Sequence, residues 1–111
     1  GRTPTLAVVL VGDNPASKIY VRNKKRTGEE IGINVIIKEY DSKIEKSFLI
    51  DEIDKLNDDK NIDGILVQLP LPKHIKEDEI VERISPKKDV DGFTAENLGL
   101  LMRFTPRFIP C

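Results

Sequence analysis

The chain has 111 residues, of which 39% are hydrophobic and 33% charged, a balance typical of one small globular domain. Eighteen basic against nineteen acidic residues give a net charge of −1, which does not support binding to nucleic acid or to an anionic membrane. No apolar run approaches the roughly 20 residues that cross a bilayer, and no secretory signal is recognisable. The single cysteine, Cys111, excludes an internal disulfide, so a cytoplasmic protein is expected.

The first half of the chain predicts a buried strand, a helix and a second strand. Residues 6–11 (LAVVLV) form an unbroken apolar run, which is typical of a parallel strand covered on both faces. Asn14 is a favourable helix N-cap and Pro15 suits the first helical position. The helix should end near Gly32, and residues 34–40 then predict the second strand.

The second half continues the same alternation. Residues 42–45 (SKIE) match a capping box for a second helix, whose apolar residues recur at helical spacing. A third strand is expected at residues 62–69 and a short helix at residues 76–84. A turn at residues 89–93 and a last helix at residues 96–102 complete the prediction. The apolar residues of the second helix are Leu49, Ile53 and Leu56.

This order of elements predicts an α/β fold with three layers, α/β/α, around a small, mainly parallel sheet. Ligands of such sheets bind beyond the carboxyl ends of the strands. Polar residues are expected there at 12–14, at Gln68 and at 89–92. These positions are the candidate site.

Lys24 stands out among the basic residues of the first helix. Helical geometry groups it with small and apolar residues, namely Ser17, Tyr20, Gly28 and Ile31. A lysine in such surroundings is desolvated, which lowers its pKa and permits proton transfer near neutral pH. From helical geometry alone, a packed stem with the ammonium group in water is the commoner arrangement.

Tyr20 and Lys24 also form the Tyr-x-x-x-Lys pair that short-chain dehydrogenases use. The pair is a weak signal, because two common residues four apart occur often by chance. Those enzymes also need a G-x-G-x-x-G loop, which this chain lacks. A short-chain dehydrogenase is therefore a minor alternative.

The other polar residues leave alternatives open. Gln68 interrupts an apolar strand end, so its amide either ties down the next loop or faces a ligand or Lys24. Asp91 is interpreted as a turn-forming residue, because the spacing of the acidic residues and the glycine around it does not fit a calcium-binding loop. Neither His74 nor Cys111 has partners for a metal site or for nucleophilic catalysis, so no metal is expected.

Four segments, taken together, resemble one family closely. Residues 11–17 (VGDNPAS), 20–24 (YVRNK), 63–72 (DGILVQLPLP) and 88–93 (KDVDGF) are similar, in order and spacing, to the methylenetetrahydrofolate dehydrogenase/cyclohydrolase family of the bacterial FolD type. The likeness extends from about residue 5 to residue 111. It reverses the interpretation of Lys24 as a merely structural lysine.

The resemblance implies an enzyme that oxidises 5,10-methylenetetrahydrofolate with NADP and then hydrolyses the methenyl product to 10-formyltetrahydrofolate. In that family Lys24 would be the acid/base group, and Gln68 would hydrogen-bond it and set its protonation. Tyr20 would stack on the folate ring and Asp91 would accept from the pterin N–H groups. Ser17, Leu69 and Pro70 would complete the folate site.

The resemblance also implies that residues 1–111 are a partial folate-binding catalytic domain without the Rossmann-type dinucleotide domain. NADP would then bind the absent domain, so no cofactor-binding residue is expected in this chain and dehydrogenase activity should be nil. The parent enzyme would be a cytoplasmic homodimer in one-carbon metabolism and purine biosynthesis. The alternative is a folate-binding module that catalyses nothing.

Overall fold

The structure, a computed structural model, describes residues 3–85. The predicted turn at residues 89–93 and the helix at residues 96–102 lie outside the described residues. Three strands alternate with three helices, as the hydrophobic pattern predicts. In chain order they are β1 (Thr5–Val11), α1 (Pro15–Glu30), β2 (Asn34–Tyr40), α2 (Lys46–Asp58), β3 (Gly64–Val67) and α3 (Glu77–Val81).

The three strands form one parallel sheet in the order β2-β1-β3. β1 lies in the centre, so its unbroken apolar sequence is explained by cover on both faces. The connection through α1 places β2 on one side of β1. The connection through α2 then crosses β1 and places β3 on its other side. Right-handed crossovers in opposite directions place the two helices on opposite faces, which confirms the three-layer α/β/α prediction.

Each face of the sheet has its own hydrophobic core. On the first face, α1 packs through Val21 on alternate residues of the strands, among them Leu6, Val8 and Leu66. On the second face α2 and α3 cover the other set of residues, and all three predicted apolar residues of α2 are buried there. This second core includes Ala7, Val9, Leu49, Ile53, Leu56, Ile65, Val67 and Ile80.

The start and the end of α1 follow the sequence closely. The Asn14 side chain accepts a hydrogen bond from Ser17 N at 3.0 Å, and Pro15 is the first helical residue. Beyond the helix end, Gly32 has φ +88°, a conformation that side chains with a Cβ rarely adopt. The loop before the helix uses Gly12 with φ +96° in the same way.

The boundaries of three predicted elements are wrong. The capping box at residues 42–45 does not form, because the Asp41 side chain and carbonyl accept from Lys43 N (2.8 Å) and Ile44 N (3.0 Å) and make a turn instead. α2 therefore begins at Lys46, and its N-cap residue makes no side-chain cap hydrogen bond.

β3 and α3 are both shorter than the sequence predicts. Ile62 belongs to a turn, with its N–H donating to Asp59 O, so the strand begins only at Gly64. α3 is one short helix that ends in tighter turns after Val81. Its buried residue is Ile80, and Val81 is half-buried. Within residues 3–85, no helix combines the length and the apolarity that a membrane span requires.

Candidate active site

Lys24 and Gln68 meet between α1 and the carboxyl end of β3, although 44 residues separate them. Side chains alternate between the faces of a strand, so Gln68 shares the α1 face with Leu66. Lys24 lies on the buried side of α1, and helical side chains lean toward the helix N-terminus. That end of α1 lies at the carboxyl edge of the sheet, so the lysine reaches up toward Gln68.

Hydrogen bonds fix the orientation of the Gln68 amide. Its Oε1 accepts from Lys24 Nζ, and its Nε2 donates to Leu69 O at 3.0 Å. Its backbone N–H donates to Val9 O at 2.9 Å and extends the ladder by one residue. Both functions left open for Gln68 are therefore realised, since the amide holds the loop with one end and Lys24 with the other.

Burial controls the charge of Lys24. Its side chain is fully buried, so the alternative in which its ammonium reaches water is wrong. Burial lowers the pKa of Lys24 from 10.5 to about 7, because the charged amine loses its hydration. At neutral pH the amine therefore exists in both protonation states and can accept or donate a proton.

The neighbouring Lys25 shows the contrast. It is partly exposed and donates to Val35 O at 2.9 Å. Adjacent lysines of one helix thus occupy two environments, and only one of them is desolvated.

Two further predicted residues lie on the same side of α1 as Lys24. Tyr20 is one turn closer to the helix N-terminus and is half-buried, whereas Ser17 is buried near the capped first turn. Gly28 is also buried and Ile31 is partly buried, as the helical spacing predicts. A half-buried aromatic ring beside a desolvated amine offers a flat surface for a planar ligand.

Leu69 and Pro70 lie at the end of β3, joined by a cis peptide bond. The Leu69 side chain packs into the core on the α2 face, so only its carbonyl takes part in the Lys24–Gln68 arrangement. Pro70 is exposed. Asp91, the remaining predicted site residue, lies outside the described residues.

The described residues contain neither a cluster of three candidate metal ligands nor a glycine-rich loop after β1. Between residues 3 and 85, no three His, Cys, Asp or Glu side chains converge on one point. His74 instead donates through Nε2 to Ile44 O at 2.7 Å, which ties two loops together. The β1–α1 loop has one glycine and carries the exposed carboxylate of Asp13, so it lacks the glycine-rich cradle of a pyrophosphate site.

Sequence reasoning identified Lys24, Tyr20 and Gln68 but did not assign the Leu69 carbonyl as the group that orients the Gln68 amide. No spacing signal could have found it, because any residue has a carbonyl at that position. From the residues alone the pairing of Lys24 with Gln68 was one of several possibilities, but the family resemblance implied it, and the structure contains this hydrogen bond.

The chain is similar to proteins of known family over its whole length. Residues 1–91 match the family model described as tetrahydrofolate dehydrogenase/cyclohydrolase, catalytic domain. The protein named bifunctional protein FolD of Paracidovorax citrulli is 53% identical over 111 residues, which are 100% of this chain and 39% of that protein. The same-named protein of Bacillus subtilis is 50% identical over 111 residues and is also covered to 39%.

Solved structures agree with these sequence matches. The bifunctional enzyme FolD of Campylobacter jejuni has a TM-score of 0.80 and 46% identity, covering 100% of this chain and 40% of that one. The enzyme of Trypanosoma brucei, solved with NADP cofactor and an inhibitor, has a TM-score of 0.77 and 31% identity, covering 100% and 38%. The chain thus spans about two fifths of the length of the relatives it matches.

Proposed function

Because the chain belongs to the tetrahydrofolate dehydrogenase/cyclohydrolase family, we propose that residues 1–111 form the partial folate-binding catalytic domain of a longer enzyme. That enzyme oxidises 5,10-methylenetetrahydrofolate to the methenyl compound and hydrolyses it to 10-formyltetrahydrofolate. The family match favours this function over a short-chain dehydrogenase. The observation that carries it is the fully buried Lys24 held by Gln68 at the carboxyl edge of the sheet.

In the proposed hydrolysis, Lys24 manages the protons. Water attacks the methenyl carbon, and the neutral amine of Lys24 accepts a proton from the attacking water. The bond between that carbon and N5 of the folate then breaks, and N5 receives a proton from the ammonium group. The hydroxyl group on the same carbon loses its proton to solvent as the formyl C=O forms. The overall reaction therefore consumes one water and releases one proton, and Lys24, having passed its proton to N5, is neutral again.

Gln68 keeps the amine in place during this cycle. Its oxygen accepts from Nζ in either protonation state of the lysine, and its own orientation is held by the Leu69 carbonyl. In the same proposal the ring of Tyr20 stacks on the folate ring and Asp91 accepts from the pterin N–H groups. Ser17, Leu69 and Pro70 line the remaining folate site.

For the proposed oxidation, NADP would supply the hydride acceptor, and a dinucleotide domain beyond these 111 residues would hold it. The β1–α1 loop does not fit a dinucleotide, which supports the view that residues 1–111 alone bind folate without oxidising it. We also propose that the complete enzyme needs no metal, is a cytoplasmic homodimer, and supplies formyl groups for purine biosynthesis.

A single substitution tests the role of Lys24. In the complete enzyme, Lys24→Met should lower the rate of methenyltetrahydrofolate hydrolysis by at least about 100-fold, since general acid–base catalysis contributes roughly 10²–10⁴. Hydrolysis is followed by the loss of the methenyl absorbance. The matched control is Lys25→Met on the partly exposed flank, which should leave the rate within about twofold.

A Lys24→Met enzyme with normal hydrolysis would contradict the proposal. Binding is tested separately, by titrating the 111-residue chain with a stable tetrahydrofolate analogue and recording backbone amide NMR shifts. Shifts at Tyr20, Lys24, Gln68 and Asp91 are expected. A well-dispersed spectrum without them would exclude a preformed folate site in this chain.

A further inference from the structure

One side of β2 carries backbone groups that pair with no other strand of residues 3–85. β2 pairs only with β1, beginning with the hydrogen bond from Asn34 N to Pro4 O. Successive residues of a strand direct their backbone groups to opposite sides, so Val35, Ile37 and Glu39 direct theirs away from β1. We call these three residues the β2 edge.

Lys25 occupies one acceptor of the β2 edge. Its Nζ donates to Val35 O at 2.9 Å, although the two residues belong to different elements. The same amine lies 3.8 Å from a carboxylate oxygen of Glu29, one helical turn further along α1. A strand that paired with β2 would place its own N–H where the Lys25 amine now lies. The contact therefore blocks the first residue of the β2 edge.

The β2 edge is complementary to itself. When two copies pair antiparallel with Ile37 opposite Ile37, Val35 of each copy lies opposite Glu39 of the other, and each such pair exchanges two hydrogen bonds. No like charges lie directly opposite in this register, because Lys38 lies across from Ile36 and Glu39 across from Val35. The run of three β-branched residues favours strand pairing, and its two half-buried isoleucines would gain cover.

We propose that the β2 edge is an interaction surface for a second copy of this chain and that Lys25 keeps it unpaired. In the symmetric pair, Val35 O of one copy accepts from Glu39 N of the other. Lys25 occupies that oxygen in both copies and so opposes pairing at both ends. Charged side chains protect the edge strands of many proteins in this way. The homodimer proposed for the complete enzyme is then expected to use another surface.

Sedimentation of the 111-residue chain tests the role of Lys25. Lys25→Met removes the donor and keeps a stem of similar length, so Val35 O becomes available at both ends of the pair. We expect the Kd of self-association to fall about 10- to 100-fold, the effect of two hydrogen bonds of ordinary net strength. The parent chain should sediment as a 12.6 kDa monomer at concentrations where the variant is a dimer.

Two further variants separate the contact from a general effect of charge. Lys25→Arg, which keeps a charged donor for Val35 O, should remain monomeric. The matched control Lys18→Met removes the same charge from the same helix, but the ion pair of Lys18 is with Asp13 at 3.4 Å, and this chain should also remain monomeric. A Lys25→Met chain that associates no more strongly than the parent would overturn the proposal.

Hydrogen exchange locates the interface. In the Lys25→Met dimer, the amides of Val35, Ile37 and Glu39 should exchange at least about tenfold more slowly than in the parent monomer. Adding Ile37→Pro should restore the monomer, because proline is tolerated where an edge N–H faces outward but removes the central hydrogen bonds of the pair. A dimer with unchanged exchange at these amides would use another surface, and the proposal would then be wrong. Slow exchange at the same amides in the parent would also overturn it, because the edge would already be paired.

Discussion

At the scale of single residues, burial of the Lys24 ammonium group lowers the stability of the folded state. Because the folded pKa is about 7 and the ordinary value is 10.5, the unfolded chain binds more protons between these values. Stability therefore rises as the pH increases from about 7 toward 10, and below about 7 the full cost of the buried charge is present.

Lys24→Met should remove this cost. We expect the free energy of unfolding to increase by up to about 4 kcal/mol at or below neutral pH, by analogy with buried ion pairs, whose replacement by apolar residues is neutral or stabilising by about 1–4 kcal/mol. The gain should shrink as the pH rises toward 10, because the folded parent amine is then neutral, and it should vanish only above the ordinary pKa of 10.5, where the unfolded amine is neutral too. Urea unfolding across this pH range measures the difference, and a variant less stable than the parent at neutral pH would contradict the argument.

The partner of Lys24 should control its titration. Gln68→Glu places a carboxylate beside the amine, which favours the charged form and should raise the pKa of Lys24 by about 1–3. The rise of hydrolysis rate with pH should then move to higher pH by the same amount. Gln68→Met, which removes the hydrogen bond without adding a charge, is the control. Identical pH profiles for the two variants would show that Lys24 does not titrate in the reaction.

Sequence reasoning reached part of this site. Helical spacing placed Lys24 on the buried side of α1, because residues three, four or seven positions apart lie on one face of a helix. Ser17 and Tyr20 have this spacing from Lys24. Spacing alone could not choose a partner for Gln68, since that choice depends on which strand lies beside β1 and in what register, whereas the family resemblance implied Lys24. The resemblance places Leu69 in the folate site, but its side chain packs into the core on the α2 face, because successive side chains of an extended chain alternate between the two faces of the sheet.

At the scale of elements, α1 depends on its first turn. The Asn14 side chain satisfies the N–H of Ser17, which otherwise has no partner within the helix. Asn14→Ala should lower the free energy of unfolding by about 1 kcal/mol, measured by denaturant titration. The neighbouring Asp13→Ala removes only an exposed ion pair with Lys18 and should cost less than about 0.5 kcal/mol. Equal losses would mean that Asn14 does not act as a cap.

The boundaries of elements were predicted less well than their existence. Apolar periodicity identified α2 correctly, because Leu49, Ile53 and Leu56 face one core. Its first residue was misplaced, since Asp41 competes for the same backbone N–H groups through a local turn. The turn and the capping box differ by only a few hydrogen bonds. The hydrophobic pattern is the same for both, so it cannot distinguish them.

At the scale of the whole molecule, the sheet has one enclosed strand and two edges within the described residues. β1 is hydrogen-bonded on both sides, whereas β2 pairs only with β1. Asn34 N donates to Pro4 O and Tyr40 O accepts from Gly12 N, so residues 35, 37 and 39 turn their backbone groups to the open edge. Lys25 covers one of these groups by donating to Val35 O, a charged cover of the kind that protects edge strands.

Native-state hydrogen exchange should reproduce this arrangement. Amides of β1 should exchange slowest, near the global free energy of unfolding, and the amides of Val35, Ile37 and Glu39 should exchange much faster. Amide exchange followed by NMR provides the comparison within one sample. Equal protection across β1 and the open edge of β2 would show that a further segment pairs with β2.

The central position of β1 also determines how long this strand waits during synthesis for the strands that pair with it. Its partners come later, because Thr5 pairs with Asn34, 29 residues on (34 − 5), and Leu6 pairs with Gly64, 58 residues on (64 − 6). During translation the most apolar segment of the described fold therefore emerges before either neighbour and waits longest for its second one. A nascent chain halted between α2 and β3 presents half of β1 unpaired, and it is at this length that the polypeptide most needs a chaperone.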